Sequence, residues 1–157
     1  MRQMTKNRAG RTVRSPAHDA VVAMLRTADL LIRQTAAVVE PFGITAQQFN
    51  VLRILRGAGL AGTDGLPTLE VGERMVEQTP GVTRLLDRLE AKGLVRRQRC
   101  PKDRRQHLCW ITQKGTDLLA QIDAPILASS RAAMKGLTTD QQTALVGLLD
   151  AIRAALQ

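Results

Sequence analysis

Residues 79–111 read TPGVTRLLDRLEAKGLVRRQRCPKDRRQHLCWI, and the punctuation of this stretch decides the fold. Thr79-Pro80 sets a capping hydroxyl before a proline at the first helical position. Leu85, Leu86 and Leu89 then recur at helical spacing as far as Lys92, where Gly93 suits the left-handed residue that ends a helix. Two strand-like runs follow, 94–99 and 107–111, on either side of the charged turn 101–106. Upstream, a short helix over 68–76 and a turn at Glu77-Gln78 lead into this segment, so the two helices form a helix-turn-helix. The whole reads as a helix-turn-helix followed by a β-hairpin with a charged tip.

Working outward, Ser15-Pro16 opens a first helix whose stripe of Val21, Leu25, Ala28, Ile32 and Ala36 runs until Glu40-Pro41. Thr45 and Gln48 have capping-box spacing, and Phe49, Leu52 and Leu55 continue a second helix expected to end near Gly57. Residues 57–67 hold Gly57, Gly59, Gly62, Gly65 and Pro67 and are expected to form a flexible loop. Beyond the hairpin, Thr112 caps a long helix expected over 113–135, with a kink at Pro125 and a stop at Gly136. Thr138 and Gln141 form another capping box, and Leu145, Leu148, Leu149, Ile152 and Leu156 form the last stripe. The predicted fold is mainly α with a small β-hairpin wing, a winged helix-turn-helix flanked by N- and C-terminal helices. The expected organisation is a basic arm over 1–14 and one domain over 15–157.

Composition agrees with that reading. The chain has 157 residues, and its aromatic residues are Phe42, Phe49 and Trp110, so the core must be built from aliphatic side chains. No apolar run approaches the ~18 residues of a membrane span. The apolar stretch 20–25 is short and is followed by Arg26, Asp29 and Arg33, which a secretory leader would not carry. The sequence therefore predicts a cytoplasmic protein with no membrane partner. The formal net charge of +9 is concentrated. Residues 1–14 carry +5 and residues 84–114 carry +7, whereas 15–83 carry −2 and 115–157 carry −1. Excess positive charge confined to an arm and one motif is the footprint of a polyanion-binding face.

Three blocks resemble the multiple antibiotic resistance regulator (MarR) family of bacterial transcription factors. Residues 44–52, ITAQQFNVL, are similar to the family's Leu-Thr-x-x-Gln-Phe-x-Val-Leu helix opening. Residues 82–95, VTRLLDRLEAKGLV, resemble its recognition helix and wing entry. Asp103-Arg104-Arg105, followed by Ile111-Thr112 and Lys114-Gly115, resembles its wing motif and the helix after it. The resemblance covers about residues 16–157; the loop 57–67 is longer than in many relatives, and the basic arm is not a family hallmark. It implies a homodimer paired through the terminal helices, 15–40 and 113–157, with 44–112 as the DNA-binding part. It also implies small aromatic acids or phenolics as effectors, bound between the winged core and the dimer helices.

The candidate DNA-binding residues are Thr79, Pro80, Gly81, Thr83, Arg84, Arg88, Asp103, Arg104 and Arg105. The small residues at the start of the recognition helix let its backbone approach base edges in the major groove. Arg84 and Arg88, four residues apart, share a face suited to a guanine edge or a phosphate. For Arg84 the alternative is a surface salt bridge with Asp87 or Glu90. By resemblance a wing arginine, Arg105 or its neighbour Arg104, enters the minor groove, oriented by Asp103. Arg96, Arg97 and Arg99 are expected to add phosphate contacts or solvated charge.

Cys100 and Cys109 flank the wing turn and could face each other as a redox pair; the favoured alternative is that they pack as small hydrophobes. Zinc binding by Cys100, His107 and Cys109 lacks a standard spacing, and no cofactor or metal is expected. His18 and His107 have no evident nucleophile partner, so the chain does not read as an enzyme. The predicted function is a sequence-specific transcriptional regulator, a repressor released by a small aromatic molecule or an oxidant. Its rival is a non-specific nucleic-acid-binding structural protein with no regulatory ligand.

Overall fold

The computed structural model describes residues 15–76, 81–101, 103 and 105–156. Helix α1 spans Pro16–Val39, with the Ser15 hydroxyl accepting from the His18 amide at 3.1 Å. Its register breaks before Pro41 into a 3₁₀ turn, Glu40–Phe42. Helix α2, Ala46–Leu60, opens on the expected capping box, with both the Gln48 N–H···Thr45 and Thr45 N–H···Gln48 bonds formed.

Helix α2 passes through Gly57 and Gly59, three residues beyond the predicted end. Ala58, between the two glycines, is buried in the core, and its burial offsets part of the roughly 1 kcal/mol that each glycine costs a helix. Most of the predicted loop is therefore ordered structure, and what connects the elements is residues 61–65.

Strand β1, Leu66–Pro67, pairs antiparallel with β3, Leu66 opposite Cys109 and Pro67 opposite Leu108. The expected two-strand hairpin is thus a three-stranded sheet in the order β1-β3-β2. Two residues carry no periodicity to read, and a proline is tolerated because β1 is an edge strand. Helix α3, Thr68–Glu73, is shorter than the predicted 68–76. Helix α4, Val82–Ala91, ends as expected at Lys92 and a left-handed Gly93. Strands β2, Val95–Arg99, and β3, His107–Ile111, pair with Val95 opposite Ile111 and Arg99 opposite His107.

Helix α5, Gln113–Ala133, starts on the Thr112 cap and continues through Pro125. Helix α6, Thr139–Leu156, opens on the Thr138–Gln141 capping box. The junction of α4, β2 and α5 is tight: the Thr112 hydroxyl donates to the Gly93 carbonyl at 2.7 Å, its amide donates to the Leu94 carbonyl at 3.1 Å, and the Lys114 ammonium donates to the Lys92 carbonyl at 2.8 Å. This locks the end of α4 and the start of the hairpin to the start of α5.

The core gathers Phe49, Leu52 and Leu55 of α2, Val71 of α3, Leu86 and Leu89 of α4, Val95 and Cys109 of the sheet, and Leu119 and Ile122 of α5. A bidentate pair, Arg56 to Asp123 at 2.8 and 2.9 Å, adds a second tie between α2 and α5. The hydrogen bonds from Arg56 hold the Asp123 carboxyl below the usual carboxylate range against the opposing effect of burial. The outer helices are different. Val39 is the one buried residue of α1, and α6 has none. Leu25 is 67% exposed and Leu148 65%.

Candidate nucleic-acid interface

Helix α4 presents two distinct faces. Leu85, Leu86 and Leu89 are buried, while Thr83, Arg84, Asp87 and Arg88 are exposed. Gly81 stands at the N-cap with φ of +124°, a conformation open to glycine and costly to any side chain. Thr79 and Pro80, with the predicted Thr cap, lie outside the described residues.

Among the described residues Arg84 and Arg88 form no ion pair, because the acidic side chains beside them are taken. Arg97 on β2 reaches across to α4 and claims both. Its Nε and Nη2 donate to the Glu90 Oε2 at 2.9 and 2.7 Å, and Nη2 also bonds Asp87. The Arg97 backbone N–H donates to the other Glu90 oxygen at 3.1 Å. The expectation of a phosphate contact or solvated charge at Arg97 is corrected: its side chain is only 17% exposed. Burial by itself would lower the guanidinium pKa, but the bonds to Glu90 and Asp87 outweigh it and hold the pKa above its ordinary value. Strand alternation could have revealed this, since Val95 and Arg97 point to one face and Val95 belongs to the core. Arg96 lies on the opposite face, its guanidinium 4.1 Å from the centre of the Trp110 ring. Trp110 also donates to Asp64 at 3.2 Å, and its ring occupies the space that a Cβ at Gly65 would need. The sole tryptophan thus pins the 61–65 connection to the sheet.

At the wing tip, Asp103 Oδ1 accepts the Arg105 backbone N–H at 2.9 Å, and its carbonyl accepts the Gln106 amide at 3.0 Å. Asp103 therefore shapes the turn through the backbone. Among the described residues it makes no ion pair with a guanidinium, and Arg104, one of the two wing arginines it is expected to orient, lies outside them. The Arg105 side chain is exposed.

The two cysteines do not face each other. Cys109 sits opposite Arg97 in the ladder, whereas the Cys100 amide bonds the Gln106 carbonyl, nearer the turn. The register withdraws the suggested disulfide, since cross-strand pairing is set by position along the ladder. Cys109 is buried beside the Thr68 hydroxyl, 3.6 Å away. Burial pushes its thiol pKa up, against the opposing effects of that contact and of the Arg97 charge. In native protein one thiol per chain, that of Cys100, is expected to react with Ellman's reagent, and Cys109 only after unfolding in urea. Equal rates for both in the native state would contradict this placement.

A cavity of about 290 Å³ lies among α1, α2, α5 and the end of the α3 segment. Leu31, Ile32, Phe49 and Ile126 line it with Gln34, Asn50, Arg53 and Ser129. Gln34 donates to the Ser129 carbonyl and hydroxyl at 3.0 and 2.7 Å, closing one wall. The Arg53 guanidinium stands 5.8 Å from the Phe49 ring centre. Asn50 Oδ1 accepts the Val76 amide at 3.0 Å, which ties the pocket wall to the segment leading toward α4. No sequence signal marked these polar groups, because they come from three helices and meet only on packing.

The MarR family model matches residues 44–107, from the start of the capping-box segment to the first residue of β3. A MarR transcription factor from Planctomyces limnophilus is 30% identical, with a TM-score of 0.66 over 88% of this chain and 98% of that one. The chain belongs to the MarR family. The chain is also similar to the HTH-type transcriptional regulator TtmR of Methylorubrum extorquens (strain PA1), 38% identical over 113 residues. That alignment takes in 72% of this chain and 54% of TtmR, so this MarR-family chain spans about half the length of the curated relative it matches. A mutant MarR from E. coli, complexed with operator DNA, is 27% identical with a TM-score of 0.72, covering 87% of this chain and 94% of that one. In this MarR-family chain α1, α5 and α6 lie outside the residues that the family model matches.

Proposed function

We propose that the protein is a homodimeric, sequence-specific regulator that binds a palindromic promoter site on double-stranded DNA in the cytoplasm and represses by occupying it. The observation that carries this reading is the exposed face of α4. Its two acidic side chains share one cation, Arg97, reached from the hairpin side, and Arg84 and Arg88 are left facing outward with no acidic partner among the described residues. A helix so arranged offers a polyanion two unpaired guanidiniums, while the nearby acids are partly offset by Arg97. The exposed leucines of α1 and α6 support pairing through the outer helices, which would set two α4 helices about one DNA turn apart.

The cavity supports a reading in which a small aromatic effector releases the DNA. The cavity offers apolar walls, the Arg53 cation and the Phe49 ring, the lining that an aromatic acid or phenol needs. An occupant that hydrogen-bonds Asn50 would compete for the contact that holds Val76. Such competition gives the ligand different affinities for two placements of α4, which is the requirement for a switch. Oxidative release through Cys100 and Cys109 is not retained, given their register.

The test is titration of the protein onto DNA from its own upstream region and onto scrambled DNA of equal length, at physiological salt. A specific regulator prefers its operator by about 10³-fold or more, whereas a structural coating protein discriminates little. If neither the upstream DNA nor the best sequence from a random library exceeds scrambled DNA by tenfold, the coating reading wins. Arg84→Ala is expected to relax discrimination at one base position, costing about 1–3 kcal/mol on the operator. An equal loss on every sequence would make Arg84 a phosphate contact instead.

A further inference from the structure

Arg96, Arg97 and Arg99 look interchangeable in the sequence, yet they occupy different environments. Arg96 is exposed against Trp110, Arg99 is exposed near the tip, and Arg97 is held on the inner face opposite buried Cys109. Glu90 grips the strand at this point twice, one carboxylate oxygen on the Arg97 amide and the other on its guanidinium. Asp87, one helical turn nearer the start of α4, takes a further N–H of the same guanidinium. Bonds with charge on both partners, made where the donor is largely screened from water, are stronger and more directional than an exposed ion pair.

We propose that Arg97 is a positioning residue: it fixes the angle and spacing between the recognition helix and the wing, and sequence discrimination depends on it without its touching DNA. The inference rests on the DNA-reading function above and adds to it a residue outside the expected contacts. Two grips on one duplex read in register only if their separation is fixed, and the grips here belong to different elements joined by the short connection through Gly93 and Leu94. The Arg97 clamp closes that connection from the side, a full strand residue pair beyond the junction with α5. It also keeps two carboxylates of α4 from facing phosphate unpaired.

Glu90→Gln separates this role from plain electrostatics, because it adds one unit of positive charge while weakening the clamp. Affinities of the wild type, Glu90→Gln, Arg97→Lys and Arg97→Ala would be measured on the selected operator and on scrambled duplex over a series of salt concentrations. Circular dichroism would confirm that each variant is folded at the assay temperature. The expected result is a fall of about tenfold or more in the operator-to-scrambled ratio for both Glu90→Gln and Arg97→Ala. Binding of scrambled DNA by Glu90→Gln should be unchanged or tighter, and the salt slope of Arg97→Ala should match the wild type. Arg97→Lys should fall between, since an ammonium cannot span both acids in one plane. If Arg97 is a phosphate contact, Arg97→Ala instead lowers the salt slope by about one unit and leaves the ratio intact. That outcome, or a Glu90→Gln ratio within twofold of the wild type, overturns the proposal. Should Arg97→Ala fail to fold, the Glu90→Gln ratio alone decides. A wild-type ratio near one would overturn the sequence-reading function itself, and the inference with it.

Discussion

Replacing Leu25 and Leu148 together by glutamate is expected to yield a folded monomer that binds operator DNA at least about 10²-fold more weakly than the parent. Neither side chain contributes to the core: they are 67% and 65% exposed, so the substitutions leave the packing of α2, α4, the sheet and α5 intact. In the proposed dimer these leucines of α1 and α6 would be covered, and a glutamate buried there without a partner is strongly unfavourable. Loss of the proposed dimer would remove the second reading head, and with it the effective-concentration advantage of about 10²–10⁴ that two linked heads enjoy over one. Sedimentation equilibrium gives the mass and circular dichroism the fold, while operator titration gives the affinity. A variant that stays dimeric, or a monomer with parental affinity, would rule out pairing through these helices.

Gly115→Ala is expected to destabilise the fold by about 3 kcal/mol, at the upper end for overpacking. A Cβ there would lie 2.4 Å from the Leu94 carbonyl oxygen and 2.7 Å from Ile111 Cγ1. The first obstacle is backbone, and that same carbonyl accepts the Thr112 amide, so it cannot retreat without breaking the junction between the wing and α5. Gly57→Ala is the control. It is also helical, but nothing lies within 4 Å of its added Cβ, so it should be neutral or stabilise by up to about 1 kcal/mol. Urea unfolding of both variants checks the pair. A cost below 1 kcal/mol for Gly115→Ala would mean that the α5 start can move away from β2.

Much of this architecture was legible before any coordinates. Capping boxes at Thr45 and Thr138, the Thr112 cap and the left-handed stop at Gly93 are local signals, decided by groups within four residues of each other. Apolar spacing put Leu85, Leu86 and Leu89 on the buried side of α4 and left Arg84 and Arg88 on the other. Where reading failed, the deciding partner was distant in the chain. The helix α2 runs past its glycines with Ala58 packed in the core, and Leu66–Pro67 became a strand because Cys109 and Leu108 were there to receive it. Neither fact has a local signature.

Sequence alone therefore determined the kinds and order of the elements other than β1, the polarity of each helix and the place of excess positive charge. These depend on periods of two and 3.6 residues and on caps that act across a single turn. Tertiary structure alone decided which of several like residues does what. It sent Arg97 inward to two carboxylates and Arg96 outward to Trp110, placed Cys109 opposite Arg97 and away from Cys100, and drew Gln34, Asn50, Arg53 and Ser129 around one cavity. The physical reason is that the energy of a buried charge, thiol or amide is set by what surrounds it, and those neighbours come from elements far apart in the chain.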